Sequence, residues 1–174
     1  MAFIKILSSR AIVASCSFLG IQAANAYVMR VKELRMLRMA FAHLESEVIN
    51  YATFLPEAVE KVASLLQGGI REFFYDFGRR LQKRSGDTAA EAWEKALNSW
   101  GKHLHITAED FQILLTFGKV VGVGDRESQR RYFQIIQSQL RNQEQKAEEA
   151  CLKYRNMYRN LGVLSGLALA IILL

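Results

Sequence analysis

The stretch LRMLRMAFAHLESEVINYATFL, residues 34–55, decides the fold because its apolar side chains recur at alternating intervals of three and four. This spacing is typical of one face of a long amphipathic helix. A second such face lies near the other end of the chain, on a helix predicted to begin at Arg126. Two long helices at opposite chain ends are expected to pack antiparallel. The two faces comprise Leu34, Leu37, Phe41, Leu44, Val48, Tyr51 and Leu55 in the first helix, and Phe133, Ile136, Leu140, Gln143, Ala147, Ala150, Tyr154, Met157 and Leu161 in the last.

Four shorter helices are predicted between the two long ones. One proline in the whole chain leaves little to break helices, and no segment reads as a convincing strand. Glycine pairs and capping residues set the expected bounds, which are 56–66, 70–84, a helix capped by Asp87 or Thr88, and one from a capping box at Thr107-Ala-Glu-Asp110 to about Gly122. The sequence therefore predicts an all-α, six-helix antiparallel bundle whose long first and last helices continue into terminal membrane segments.

Both termini are apolar enough to suggest membrane segments. Residues 11–29 carry no charge, and 19 uncharged residues approach the length that crosses a bilayer. The 14-residue run Leu161 to Leu174 is shorter and holds Gly162 and Gly166, a spacing that favours close helix packing within a membrane. The predicted domains are an N-terminal membrane anchor over 1–29, a cytoplasmic helical bundle over 30–160 and a C-terminal membrane segment over 161–174.

The N-terminus also permits another interpretation. Ala24-Asn25-Ala26 resembles the cleavage site of a signal peptide, which would make the mature chain a secreted or surface-exposed helical adaptor. The helical pattern runs on past Met29 without Pro or Gly, which favours an anchor instead.

The net charge of +6 is placed where anionic lipid headgroups would lie. Basic residues follow the first apolar segment and precede the second, and their excess between the two segments predicts a cytoplasmic bundle. A cluster at Arg79, Arg80, Lys83 and Arg84 has the composition of a nucleic-acid patch, but its neighbouring aromatic residues fit a helix core better. The basic residues near the membrane segments are Arg30, Lys32, Arg35, Arg38, Lys153, Arg155 and Arg159. The expected partners are therefore anionic lipid and proteins, and no nucleic acid.

No group of residues predicts catalysis. His103 and His105 lack the further ligands that a zinc site needs, and Cys16 and Cys151 suggest neither a disulfide nor a metal site. Gly122-Val-Gly124 lacks the lysine and remaining glycines of a phosphate loop and fits a helix stop. We expect no enzyme activity, no cofactor and no metal.

Several short motifs, in this order and spacing, resemble the stage III sporulation protein AB family across nearly the whole chain. They are Leu34-Arg35, Leu44-Glu45, Glu47, Leu55-Pro56-Glu57-Ala58, Ala92-Trp93, Phe117-Gly118, Gly122, Gly124-Asp125, Gln129, Lys153-Tyr154 and Leu161-Gly162. The chain departs from the family at Phe54, where a proline is usual, and at Gly124, where serine is frequent.

The resemblance implies a component of the mother-cell membrane that faces the forespore and, with other proteins, builds the channel between the two cells. It also implies a soluble part similar to the cytoplasmic helical domain of type II secretion and type IV pilus platform proteins. Such a protein would couple a cytoplasmic secretion-type ATPase to the membrane machinery, and a homo-oligomer is compatible with that role.

Three loops are expected to meet at the membrane-distal end of an alternating bundle, near Thr53-Phe54, at Ser85-Gly86 and over 122–125. Residues at or near this face are predicted to contact a partner, namely Leu55, Pro56, Glu57, Asp125, Arg126 and Gln129. The plainer interpretation is that Pro56 and Asp125 only begin helices.

Overall fold

Six α-helices make up nearly all of the structure, a computed structural model that describes residues 2–83 and 86–173. Side chains are described except over 2–14 and 170–173 and at residues 17, 166 and 167. Within these bounds there is no strand, which confirms the predicted all-helical class. The helices are α1 (Ala2–Glu45), α2 (Leu55–Leu65), α3 (Gly68–Gln82), α4 (Ala89–Trp100), α5 (Ala108–Gly118) and α6 (Arg126–Leu173), with a π-helical turn at Ser46–Asn50 and a 3₁₀ turn at Gly101–His103.

The chain divides into two compact units. The bundle unit comprises Lys32–Gln145, and the terminal unit comprises Met1–Val31 with Lys146–Leu174. The bundle unit therefore holds the four short helices together with the inner parts of α1 and α6, whereas the terminal unit is built from the outer parts of the same two helices.

Trp93 forms the centre of the bundle core. Its ring contacts five aromatic rings, which are those of Phe41, Phe73, Phe74, Phe77 and Phe117. Its indole N–H donates to the Leu114 carbonyl over 2.8 Å, so the one polar atom of the ring is satisfied. Gly118 lies directly against this ring, and a methyl group at that position would overlap it.

Inside the bundle unit, α1 and α6 run antiparallel. The Arg35 and Arg38 side chains each contact the buried Glu144 carboxylate over 2.9 Å, while Gln137 donates to Glu45 over 2.6 Å. As the residue number rises along α1, the number of the contacting residue on α6 falls, so the two helices run in opposite directions.

The apolar face of α1 changes register near its end. Leu34, Leu37, Phe41 and Leu44 are buried, but Tyr51, which the sequence places on the same face, is 73% exposed. The reason is the π-helical turn Ser46–Asn50, which adds one residue and brings Ile49 into the core. The regular alternation of three and four predicted from the sequence is therefore wrong beyond Leu44.

In the terminal unit the two helices meet at glycines. A Cβ atom on Gly20 would lie 2.8 Å from the Tyr158 carbonyl oxygen and 2.9 Å from the Gly162 Cα, so the backbones touch. The Tyr27 ring lies 5.6 Å from that of Tyr154 and 5.7 Å from that of Tyr158, measured between centroids.

In this unit the predicted face of α6 is confirmed at Ala147, which is buried, and at Tyr154, which contacts Tyr27, but is wrong beyond Tyr154. Met157 and Leu161 are exposed, whereas Gly162 is buried. Contacts recur at Tyr154, Tyr158 and Gly162, at a constant interval of four residues instead of the predicted alternation of three and four. Gly166, the other predicted packing residue, lies outside the residues whose surroundings the structure describes.

The terminal membrane segments are not confirmed. Among the described residues, no helical stretch combines the length, apolarity and scarcity of charge required of a candidate span. Parts of both predicted segments, residues 2–14 and 170–174, lie outside the side chains that the structure describes.

The short helices begin and end close to their predicted bounds. Thr88, rather than Asp87, caps α4, and Thr107 caps α5, each in a complete capping box. Gly68, at φ +60°, opens α3 instead of ending the helix before it. The fifth helix ends at Gly118, short of the predicted Gly122. Ser85 lies outside the described residues.

Candidate protein-docking face

Gly122 lies where three connecting segments of the bundle unit come together. A Cβ atom on Gly122 would lie 3.3 Å from the Ala89 Cβ at the start of α4 and 3.7 Å from the Leu55 Cδ2 at the start of α2. Its φ of +74° also favours glycine. The starts of α2 and α4 therefore meet at Gly122, in the segment that precedes α6. The predicted participation of the loop at Ser85-Gly86 is not shown, since Ser85 lies outside the described residues.

A cavity of about 280 Å³ opens beside this contact, which we call the loop cleft. It is lined mainly by apolar side chains and mixes residues from three parts of the chain. The lining residues are Val48, Ala52, Thr53, Phe54 and Leu55 after α1, Phe117, Val120, Val121 and Gly122 at the end of α5, and Gln129, Tyr132 and Phe133 on α6.

Large apolar side chains stand exposed around the loop cleft. Phe54 lines it and is 77% exposed, while Tyr51 and Val123 are also exposed in the same loops. Ala52 has φ +53°, a left-handed conformation that L-residues with a side chain rarely adopt. Exposed aromatic residues on a strained loop beside a cavity are typical of a surface that binds another protein.

Arg126 holds the end of α1 in place. Its guanidinium donates to the Ile49 carbonyl through Nε over 2.7 Å and also through Nη2, with a longer bond to the Asn50 carbonyl. These carbonyls belong to the π-helical turn and have no helical partner beyond it. Arg126, predicted to contact a partner, thus acts within the bundle as the support of the cleft's wall.

Glu47 fixes the loop from the other side. The Thr53 hydroxyl donates to Glu47 Oε2 over 2.8 Å and the Lys61 ammonium over 3.2 Å. These two hydrogen bonds, with Thr53 the larger contributor, lower the pKa of Glu47 below its usual value. The Glu47 carboxylate is therefore charged at neutral pH and ties the loop to α2.

The other predicted contact residues divide into cleft-lining and helix-starting positions. Leu55 and Gln129 line the loop cleft. Pro56 occupies the first turn of α2, and Glu57 pairs with Lys61 on the outer surface of that helix over 3.0 Å. Asp125 accepts from the Ser128 N–H over 3.1 Å, and hydrogen bonds from Ser128 lower the pKa of Asp125. Contact of any of the six with a partner stays a prediction.

Sequence patterns did not single out Val120, Val121 and Tyr132 as cleft residues. Two of the three follow the last residue of α5, Gly118, where the chain continues as a turn and no helical period applies. The one feature of the sequence that could have indicated these cleft residues is the apolar pair Val120-Val121 between two helices.

The sequence model of the stage III sporulation protein AB family matches residues 5–174. The chain belongs to this family. Stage III sporulation protein AB of Bacillus subtilis (strain 168) is 32% identical over 171 residues, which cover 98% of this chain and 99% of the relative. A solved structure of stage III sporulation protein AB superimposes with a TM-score of 0.68 at 31% identity, covering 71% of this chain and 97% of that one.

Membership in this family makes the chain a sporulation-related protein and accounts for the motifs that carried the resemblance. Gly118 packs against the Trp93 ring in the core, and Gly122 lies in contact distance of the starts of α2 and α4. These motifs therefore map onto the core and the candidate docking face, whereas Lys153-Tyr154 and Leu161-Gly162 lie in the terminal unit.

The remaining candidates from the sequence have structural explanations. The backbone N–H of His105 donates to Glu33, and its Nδ1 lies 3.2 Å from the same carboxylate. In the part of the chain that is described, no group of three or more His, Cys, Asp or Glu could hold a metal ion. Arg79 and Arg80 both bind Asp76, at 2.8 and 2.9 Å, so part of the predicted basic cluster is neutralised.

Proposed function

We propose that this chain is a non-enzymatic platform protein of the mother-cell-to-forespore channel complex. Its bundle unit would couple a cytoplasmic secretion-type ATPase to the membrane machinery through the loop cleft. The observation that carries the proposal is the apolar loop cleft with exposed Phe54 at its edge, held open by Arg126 and Glu47. A rigid pocket beside exposed aromatic anchors suits a protein partner.

Membrane anchoring through the terminal unit is part of the proposal. Phe18, Leu19 and Leu164 are each exposed by 60% or more on helices that pack through glycine backbones. In water such a surface is unfavourable, whereas small residues at the contact and large apolar residues outside it are typical of helices packed in lipid. Tyr27, Tyr154 and Tyr158 would then lie at headgroup level, close in sequence to Arg30, Lys153 and Arg159, where anionic lipid can pair with them.

The packing of the terminal unit also bears on the cleaved-adaptor interpretation. α1 continues without interruption through Ala26, and cleavage there would remove Gly20 and the buried Ala24. The close contact with Gly162 would be lost with them. We therefore favour an uncleaved anchor, and N-terminal sequencing of the membrane-extracted protein decides between the two, since a mature start at Tyr27 contradicts it.

The coupling role is tested by binding of the purified ATPase to the full chain in lipid nanodiscs. Phe54→Asp and Val123→Asp place a charge at exposed positions next to the cleft, so the fold should persist while binding falls at least about tenfold, as expected on loss of a buried aromatic anchor. Tyr75→Asp, at an exposed aromatic position of α3 that does not line the cleft, is the matched control. Undiminished binding by both cleft variants, with unchanged circular dichroism, rules out this face.

A further inference from the structure

A second depression adjoins the loop cleft and runs between α5 and α6. It has a volume of about 200 Å³ and shares Phe117, Val120 and Tyr132 with the loop cleft. Ile113, Ile135 and Ile136 complete its apolar lining, and Ile135 is 47% exposed. The loop cleft and this depression together form one apolar trough, the α5–α6 groove, with Tyr132 and Val120 between its two hollows.

The rim of the groove is basic at the end formed by residues 119–131. Lys119 lies in the turn after α5, where its backbone N–H donates to the carbonyl of the lining residue Thr116 over 3.3 Å. Arg131 precedes the lining residue Ile135 by four residues, so helical spacing places the two side by side. Both side chains are exposed, and among the described residues neither has an ion-pair partner. Over 119–131 the four basic residues Lys119, Arg126, Arg130 and Arg131 outnumber the two acidic residues Asp125 and Glu127.

The acidic residues in this stretch do not cancel the basic rim. Asp125 is occupied as the cap of α6 and Arg126 as the support of the π-helical turn. This leaves three basic residues, Lys119, Arg130 and Arg131, and one acidic residue, Glu127. The stretch therefore has an excess of positive charge beside an apolar trough. Such a surface attracts a segment that is apolar on one side and acidic at its margins.

The walls of the groove determine the backbone of its occupant. The walls of the depression between α5 and α6 are mainly helical, with backbone groups paired within the helices, and no described residue of the loop cleft belongs to a strand. No strand edge is therefore available there to an extended peptide. A segment that satisfies its own backbone is therefore favoured, which means an amphipathic helix laying bulky side chains into successive hollows.

We propose that the α5–α6 groove binds an acidic amphipathic helix of the partner protein. One bulky apolar side chain enters the loop cleft and a second, one or two turns away, enters the depression lined by Ile113 and Ile135, while carboxylates on the partner pair with Lys119 and Arg131. This inference rests on the proposed function, since it supplies the chemistry by which the ATPase is recognised.

Photo-cross-linking and charge reversal test the inference with the full chain in nanodiscs and the purified secretion-type ATPase. A benzophenone amino acid replaces Ile135 in one variant and the exposed Tyr75 of α3 in the control. The double variant Lys119→Glu/Arg131→Glu is compared with Arg71→Glu/Lys102→Glu, which makes the same change in net charge at exposed positions that do not line the groove.

We expect the benzophenone at position 135 to form an adduct with the ATPase, and the one at position 75 to form none. The cross-linked ATPase segment should be net acidic and carry two bulky apolar residues at helical spacing. We also expect on the order of a tenfold loss of affinity for the first double variant alone, with a weaker dependence on salt. If the ATPase binds the wild-type chain but neither position 135 nor the two basic residues matters, the groove inference fails while the coupling role stands.

If the wild-type chain does not bind the ATPase, the proposed function fails, and the adduct formed at position 135 in sporulating cells decides on the groove. Mass-spectrometric assignment of that adduct to an acidic amphipathic segment of another protein supports the inference. A basic segment, a second copy of this chain or no adduct overturns it.

Discussion

The same two helices pack in different ways in the two units of this protein. In the bundle unit, α1 and α6 contribute buried Leu, Phe and Ile side chains to a core centred on Trp93. In the terminal unit they meet at Gly20 and Gly162, and large apolar side chains such as Phe18 and Leu164 face outward. The first arrangement gains its stability from removing apolar surface from water, and the second from close backbone contact. The two units therefore differ in what holds the same pair of helices together.

The largest expected effect is the loss of the bundle core in Trp93→Ala. Removing a fully buried indole leaves a cavity among five aromatic rings and should lower the free energy of unfolding of the bundle by about 3–5 kcal/mol. Denaturant titration followed by near-ultraviolet circular dichroism measures it. Trp100→Ala, at a partly exposed position of the same helix, is the control and should change the transition much less.

A double-mutant cycle sharpens the assignment of the core contact. Gly118→Ala should destabilise the bundle by about 1–3 kcal/mol because the added methyl group overlaps the Trp93 ring. In the Trp93→Ala background the same change should have little effect, since the obstructing ring is gone. Equal effects in the two backgrounds contradict the contact.

Gly162→Leu tests the packing of the terminal unit. The substitution should weaken the association of the two helices by about 1–2 kcal/mol, in the lower part of the range for overpacking. The new side chain would meet the Cys16 carbonyl oxygen and the Gly20 Cα, both 2.9 Å from its Cβ, and force the backbones apart. Spin labels at exposed Ile21 and Val163, with Cys16 and Cys151 changed to Ser, report the separation in nanodiscs.

The control for this experiment is Leu164→Ala, on the exposed surface of the same helix, which should leave the label distance unchanged. The melting of the bundle unit should be the same in both variants. An unaltered distance in Gly162→Leu would show that the glycine contact does not hold the terminal helices together.

The smallest expected effect is a pH dependence confined to the bundle unit. Burial by itself would raise the pKa of Asp76, but Arg79 and Arg80 together outweigh it and lower the pKa. Because the folded pKa lies below the unfolded one, the stabilisation is complete above the unfolded value of about 3.9 and is lost as the pH falls through the folded value. Asp76→Asn should remove about 1 kcal/mol near neutral pH and flatten this acid limb.

The pH effect also separates the two units. The distance between labels at Ile21 and Val163 should respond little to this titration, because the neighbouring contact of Gly20 with Gly162 joins two backbones. Unfolding of the bundle between about pH 5 and pH 2, followed for the wild-type chain and Asp76→Asn, checks the prediction, and parallel pH profiles for the two chains contradict the role of Asp76.

Periodicity and capping residues predicted most of the fold. The capping boxes at Thr88 and Thr107 and the cap at Asp125 are local interactions, and local interactions are readable from neighbouring residues. The π-helical turn was not predictable in this way, because it depends on Arg126, which lies 77 residues away from Ile49 in sequence. The exposure of Tyr51 follows from this turn. The wrong face at Met157 and Leu161 accompanies the backbone contact between Gly20 and Gly162, which are also far apart in sequence.

The docking face was predictable in outline only. Glycines and the single proline marked the loops that meet, and Leu55 and Gln129 line the cleft beside them. The bonds of Arg126 within the bundle were not predicted, because its guanidinium satisfies carbonyl groups left open by the distant π-helical turn. No pattern in the sequence indicates which loop residues line a cavity, since that depends on how α5 and α6 diverge.

Hydrogen–deuterium exchange of the full chain in nanodiscs, with and without the secretion-type ATPase, shows whether the loop cleft is the docking face. We predict slower exchange on binding in peptides covering residues 48–57 and 117–136, and no change in α3. Protection of α3 instead, or equal exchange at the cleft in the bound and free chain, would contradict the loop cleft as the docking face.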